Sequence, residues 1–313
     1  MNKKGVADKK GANVVNARTT GDKKGAKAAD ADKVSCGKQA CVRHTPLACV
    51  GSSVGSSVGS TSVGKVYASS ALAKRELAAL VVMRKVDPAG THHAVLRGVC
   101  DVAGGKTQLF LKPARFTLRQ LVGHVPPTNA VDYRILIQGL LNVMRGLALF
   151  NAAGFVHNDI TPDNIMVTDA NEMILIDFGY ALPLGKVFDR KSNLFLNGTW
   201  PYNPPEFKLF LKLPLSDVEK NYAGFRLGRA VPLAKDFDAR RAAAKADVFA
   251  FGVLMLWCAD AVADAAFGAL LRATGLRLAD MDLATRPTPL AAAAVLSDAA
   301  KRWDGTSRLQ TTA

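Results

Sequence analysis

Apolar residues recur at three- and four-residue spacing through residues 130–153, at Leu136, Leu140, Val143, Leu147 and Phe150. That period puts them on one helix face, which the fold must bury. Gly154 follows and marks a turn. A second helix is expected over Leu72–Val86, with Leu72, Leu77, Leu80, Val81 and Val82 toward the core and Asp87-Pro88-Ala89-Gly90 as its stop. Around that helix, over residues 44–115, the pattern changes to short apolar runs. These are Leu47–Val50, Val63–Tyr67, Val95–Val102 and Gln108–Leu111, separated by Gly, Ser and Asp, and they read as strands. The most apolar window, Val248–Ala259, is flanked by Asp247, Asp260 and Asp264. It is short for a bilayer span and predicts a buried helix. The pattern is therefore α+β, with a small β-rich lobe over 44–115 and a larger, mostly helical lobe over 116–313.

Composition changes the picture mainly at the N-terminus. The chain has 313 residues, 49% hydrophobic, enough for a packed core, and a net charge of +15. Residues 1–43 hold lysine pairs at 3–4, 9–10 and 23–24 and few large apolar side chains. Such a segment buries too little surface to offset its ordering entropy, so a disordered basic tail is expected, able to contact acidic partners. The lysine pairs are scattered, and no sequence-specific nucleic-acid binding is expected. No apolar run follows Met1, so neither a secretory signal nor a membrane segment is expected. Cysteines 36, 41, 49, 100 and 258 show no CxxC spacing and read as reduced thiols of an intracellular protein, in cytoplasm or nucleus. His92-His93 reads as a loop or strand start, not as a metal ligand pair.

The candidate chemistry lies in His157-Asn158-Asp159-Ile160-Thr161-Pro162-Asp163-Asn164, followed after twelve residues by Asp177-Phe178-Gly179. Two carboxylates and a carboxamide stand close together in the chain, as a phosphoryl-transfer site requires. The run Glu172–Ile176 places Asp177 at a strand end. These residues resemble the catalytic and metal loops of the eukaryotic-type protein kinase superfamily. Further along, Gly198-Thr199-Trp200-Pro201-Tyr202-Asn203-Pro204-Pro205-Glu206 resembles the end of a kinase activation segment. Lys245-Ala246-Asp247-Val248-Phe249-Ala250-Phe251-Gly252 resembles the start of the family's central helix, and Arg286 the arginine that pairs with Glu206. The resemblance runs from about 44 to 290 and implies a bilobal fold, ATP and Mg2+ as cofactors, and protein substrates phosphorylated on Ser or Thr. It implies Asp159 as base and Asn164 and Asp177 as metal ligands. Residues 207–246 are long for the link they occupy and read as an insertion.

The nucleotide lobe admits two registers. Gly59–Val66 can be the phosphate loop with Lys74 as the strand lysine, or Gly51 and Gly55 can form it with Lys65 in that place. The lysine needs a glutamate on the following helix, and no glutamate occurs between residues 77 and 171. Glu76 is too close to Lys74 for a strand-to-helix pair. The spacing favours Lys65–Glu76. The Gly51–Ser60 tetrads also fit a plain linker, with Glu76 as a solvated helix residue.

Two positions depart from the family. Asn158 replaces the arginine before the catalytic aspartate, so no cation there grips an activation-loop phosphate. Thr161 replaces the lysine that steadies the transferred phosphoryl group. Asp-Ile-Thr-Pro-x-Asn resembles the catalytic loop of kinases from large DNA viruses of the herpesvirus type, which implies a viral kinase. The departures leave open a non-enzymatic kinase-like binding module. A small-molecule phosphotransferase of the same superfamily is a third reading.

Overall fold

In the computed structural model, the described residues are 34–36, 40–43, 62–124, 130–188, 202–220 and 222–303. Strands β1 (Val34–Cys36), β2 (Ala40–Arg43) and β3 (Val63–Tyr67) precede helix α1 (Ser70–Val86), and β4 (Leu96–Val102) and β5 (Lys106–Leu111) follow it. They form one antiparallel sheet in the order β1-β2-β3-β5-β4. The sheet starts at Val34, inside the segment 1–43 expected as a tail. Val34 and Val42 are β-branched and suit a pleated strand. Cys100 on β4 is disulfide-bonded, which corrects the expectation of five reduced thiols. Cysteine usage thus no longer argues for a reducing compartment.

Ser69 caps α1 through Leu72 N, and the Asp87 amide closes its end on Met83 O. Its buried face is Ala73, Glu76, Leu80 and Met83, whereas Val81 is exposed. Of the expected face, Leu80 is buried and Leu72, Leu77 and Val82 pack against the core, while Glu76 also points into the lobe.

The second lobe begins with β6 (Phe116–Thr117) and helices α2 (Leu118–His124) and α3 (Ala130–Ala152). All five residues of the expected α3 face, Leu136, Leu140, Val143, Leu147 and Phe150, are buried. Strands β7 (Phe155–Val156), β8 (Ile165–Val167), β9 (Met173–Leu175) and β10 (Leu182–Pro183) form two small sheets, β6-β8-β9 and β7-β10. Short helices α4 (Pro205–Phe210) and α5 (Leu215–Lys220) fall within or beside the expected insertion. That segment folds back on the lobe: Phe210 and Phe237 stack edge-on against Phe188, at 5.2 and 5.3 Å.

Helix α6 (Ala239–Ala261) starts six residues before Lys245, capped by Asp238, and is followed by α7 (Ala265–Leu278) and α8 (Pro289–Arg302). Both α3 and α6 are long and apolar enough to cross a membrane, and the apolar stretch of α6 is 83% buried within the lobe. Gly252 lets α6 and α7 touch backbone to backbone; a Cβ there would lie 2.4 Å from Ala279 N.

The lobes are joined at the loop after α1. Asp87 accepts from Thr91 N, His92 N and His93 Nδ1, which shapes the turn. The same loop pairs with β9, Leu175 N donating to His92 O at 2.9 Å and Ala94 N to Leu175 O at 2.8 Å. His92-His93 is thus a loop, as its sequence suggests, and it holds the small lobe against the strand leading to Asp177.

Candidate active site

The left-handed backbone of Asn158 (φ 64°) and of Asp177 (φ 59°) turns the two loops toward each other. Asparagine and aspartate tolerate that region better than most side chains. The first loop is gripped from below by Asp247 on α6. Its carboxylate accepts from His157 N at 2.7 Å and from Asn158 N at 2.9 Å. Burial pushes the Asp247 carboxyl above its ordinary range, although His157 and the two amides oppose the shift. His157 also lies 3.0 Å from Ile176 O through Nε2 and packs edge-on to Phe178. The sequence places Asp247 beside the apolar run and in the motif that resembles the start of a central helix, but assigns it no contact with the loop. A carboxylate inside so apolar a helix was the available signal, since a buried charge needs partners.

Inside the loop, Asn164 Nδ2 donates to Asp159 Oδ2 and to Asp159 O, both at 2.8 Å. Ile176 N donates to Asn164 O at 3.0 Å, which ties the two loops together one residue before Asp177. Thr161 is buried and offers no charge to the site.

From the other lobe, Lys65 on β3 reaches across. Its Nζ lies 2.7 Å from Glu76 Oε2 on α1 and 2.6 Å from Asp177 Oδ1. Tyr67 donates a short hydrogen bond to the same Glu76 oxygen. Burial alone would lower the Lys65 pKa, but Glu76 and Asp177 together hold it above the usual lysine range. Burial raises the Asp177 pKa, yet the Lys65 charge and the Lys65 and Gly179 hydrogen bonds outweigh it and leave the carboxyl below its ordinary range. Burial, with Asp177 nearby, keeps the Glu76 carboxyl raised despite Lys65. Lys74 points to solvent from α1. Gly51, Gly55 and Gly59 lie outside the described residues, between β2 and β3. In the sheet, the hairpin beside β3 is β1–β2, whose connection carries Gly37.

Among the described residues Asn164 Oδ1 and Asp177 Oδ2 have no protein partner, and both are hard oxygen donors. Among the described residues no group of three His, Cys, Asp or Glu side chains could hold an ion alone. Magnesium commonly binds through one or two protein oxygens plus substrate phosphates, so the pair fits it.

Beyond the loop, Tyr202, Asn203 and Pro204 line a small cleft with Asp159 and Asp247. Glu206 follows on α4 and is held by Arg286, with Nη1 at 2.5 Å and Nη2 at 2.9 Å. Gly198, Thr199, Trp200 and Pro201 lie outside the described residues.

A bilobal fold with this lysine–glutamate–aspartate bridge and aspartate–asparagine loop defines the kinase-like class. The comparisons agree. A family model described as "Phosphotransferase enzyme family" matches residues 65–183. The mitogen-activated protein kinase mpkC of Aspergillus terreus is 25% identical over 176 residues, covering 53% of this chain and 43% of the relative. The serine/threonine-protein kinase PknL of Mycobacterium tuberculosis is 34% identical over 93 residues, covering 29% of this chain and 22% of the relative. Human cyclin-dependent kinase-like 2 is 32% identical over 56 residues, 18% of this chain and 11% of the relative. The chain thus spans less than half the length of these curated relatives. Together, fold and matches support the protein-kinase-like superfamily and a kinase-like phosphotransferase; they do not support the viral resemblance.

Proposed function

We propose that the chain transfers the γ-phosphoryl group of ATP, with Mg2+, to serine or threonine hydroxyls of proteins. The observation that supports this most is Lys65 bridging Glu76 and Asp177, 2.7 and 2.6 Å away, opposite the Asp159–Asn164 loop. In this reading Lys65 holds the α- and β-phosphates and Glu76 keeps Lys65 aimed. Asn164 and Asp177 would hold the ion, which supplies charge neutralisation of the phosphates when bound. Asp159 accepts the proton of the incoming hydroxyl, oriented by the Asn164 carboxamide. Tyr202–Glu206, anchored by Arg286, forms the ledge on which a protein acceptor lies.

The matched phosphotransferase stretch favours a second reading, a small-molecule acceptor. The Tyr202–Glu206 ledge lies outside that stretch and favours a protein. A non-enzymatic binding module is the third reading; it has no need of Asp159, Asn164 and Asp177 together. The test is transfer from radiolabelled Mg·ATP to a mixed protein acceptor by the full chain and by Asp159→Asn. The variant is expected to keep nucleotide binding and to lose roughly 10²–10⁴-fold in transfer, the usual worth of a positioned base. Nucleotide binding without transfer in the parent chain would favour the binding module, and transfer to small molecules alone the second reading.

A further inference from the structure

Thr161 leaves the catalytic loop without the cation that its family carries there, and the structure brings another to its edge. Arg119, second residue of α2, donates its backbone N–H to Pro162 O at 3.2 Å. Its Nε lies 2.8 and 3.0 Å from the two Asp163 carboxylate oxygens. The Trp257 ring lies 5.4 Å from Cζ, so the guanidinium has both a carboxylate and an aromatic ring as neighbours. Tyr202, which lines the cleft with Asp159, is within electrostatic range of Arg119 and Asp163. Nη1 and Nη2 have no partner among the described residues, and the side chain is half exposed, at 49%. A fork fixed to Asp163 of the Asp159–Asn164 loop, whose Nη donors have no partner among the described residues, suits an anionic group on the acceptor.

We infer that Arg119 is a specificity-determining residue that selects acceptor peptides carrying an anionic group, carboxylate or phosphate, close to the accepting hydroxyl. This rests on the protein-kinase reading. Asp163 locks the fork through Nε and leaves both Nη groups for the substrate. Trp257 keeps the fork from swinging back over α6. A plain structural staple between α2 and the loop would use the same Arg119–Asp163 bond but would not discriminate between substrates.

The experiment compares serine peptides of one backbone flanked by glutamate, phosphoserine, alanine or lysine. Binding is measured by calorimetry and transfer by initial rates with Mg·ATP, on the full chain, Arg119→Lys and Arg119→Glu. The full chain is expected to favour both anionic peptides over the lysine peptide by about tenfold or more in Kd and KM, the order of one hydrogen bond to a charged group. Arg119→Glu is expected to invert that order, and Arg119→Lys to keep its sign with a smaller ratio. Preference for phosphoserine alone would identify phosphate as the anion, and equal preference the carboxylate as sufficient. An unchanged ratio in Arg119→Glu, or a basic preference in the full chain, would overturn the inference. Charge-selective binding that follows Arg119 with no transfer to any peptide would sink the kinase reading while upholding the recognition site.

Discussion

Lys65 and Glu76 meet across eleven residues of chain, Nζ to Oε2 at 2.7 Å, with Glu76 almost fully buried. The lysine also bonds Asp177, so one side chain spans strand, helix and the loop that carries Asp177. Lys65→Met is expected to abolish phosphoryl transfer, and Lys74→Met to do little. Glu76 need not remain as a stranded anion, because burial already raises its pKa and it can take up a proton. The lobe should therefore stay folded. Autophosphorylation rates and far-ultraviolet dichroism of both variants check this; an inactive Lys74→Met with an active Lys65→Met would reassign the strand lysine.

Asp177 contributes an oxygen to Lys65 and keeps a second one available. Asp177→Ala is expected to lose the magnesium-dependent part of the thermal shift produced by ATP, because the triphosphate charge is then uncompensated. A titration of melting temperature against Mg·ATP and against ATP with chelator reads it. Equal shifts in variant and parent would remove Asp177 from metal binding.

The Glu206–Arg286 pair is structural. Arg286 is 1% exposed, forks onto both Glu206 oxygens, and donates through Nε to Asp280 O at 2.9 Å. Removing one side leaves a buried charge, which typically costs about 3–5 kcal/mol. Glu206→Ala and Arg286→Ala should each lower the denaturation midpoint, and the double variant should fall short of their sum. Strict additivity would show that the pair does not couple.

Lys208 on α4 is buried, with Nζ 3.9 Å from the Tyr222 ring. Burial pushes its pKa down to about 7 from 10.5. Below pH 7 folded and unfolded chains both carry the proton, so the cost of burying the charge is present in full. Between about 7 and 10.5 the unfolded chain binds more protons, and stability rises with pH. Lys208→Met is therefore expected to raise the melting temperature at pH 6, by an increment that shrinks by pH 9. A constant increment across that range would mean that Lys208 keeps an ordinary pKa.

The sequence by itself determined the α3 face, whose period reports local geometry, and the order of the loops bearing Asp159, Asn164 and Asp177. It also narrowed the Lys65 partner to Glu76, because the chain has no other glutamate within reach. Local pattern failed where a polar group had to face inward. On α1, Leu72, Leu77, Leu80 and Val82 face the core as their spacing predicts, but the buried stripe also takes in Glu76, which answers to Lys65 on another element, and leaves Val81 exposed. The start of the sheet at Val34 was hidden for a related reason: a three-residue strand carries too short a period to read and is defined by its pairing. Only the tertiary structure brought Asp247 to the His157 and Asn158 amides, about ninety residues away, and Arg119 to Asp163, 44 residues away. Such contacts depend on how the lobe closes its long loops, and no local spacing encodes them.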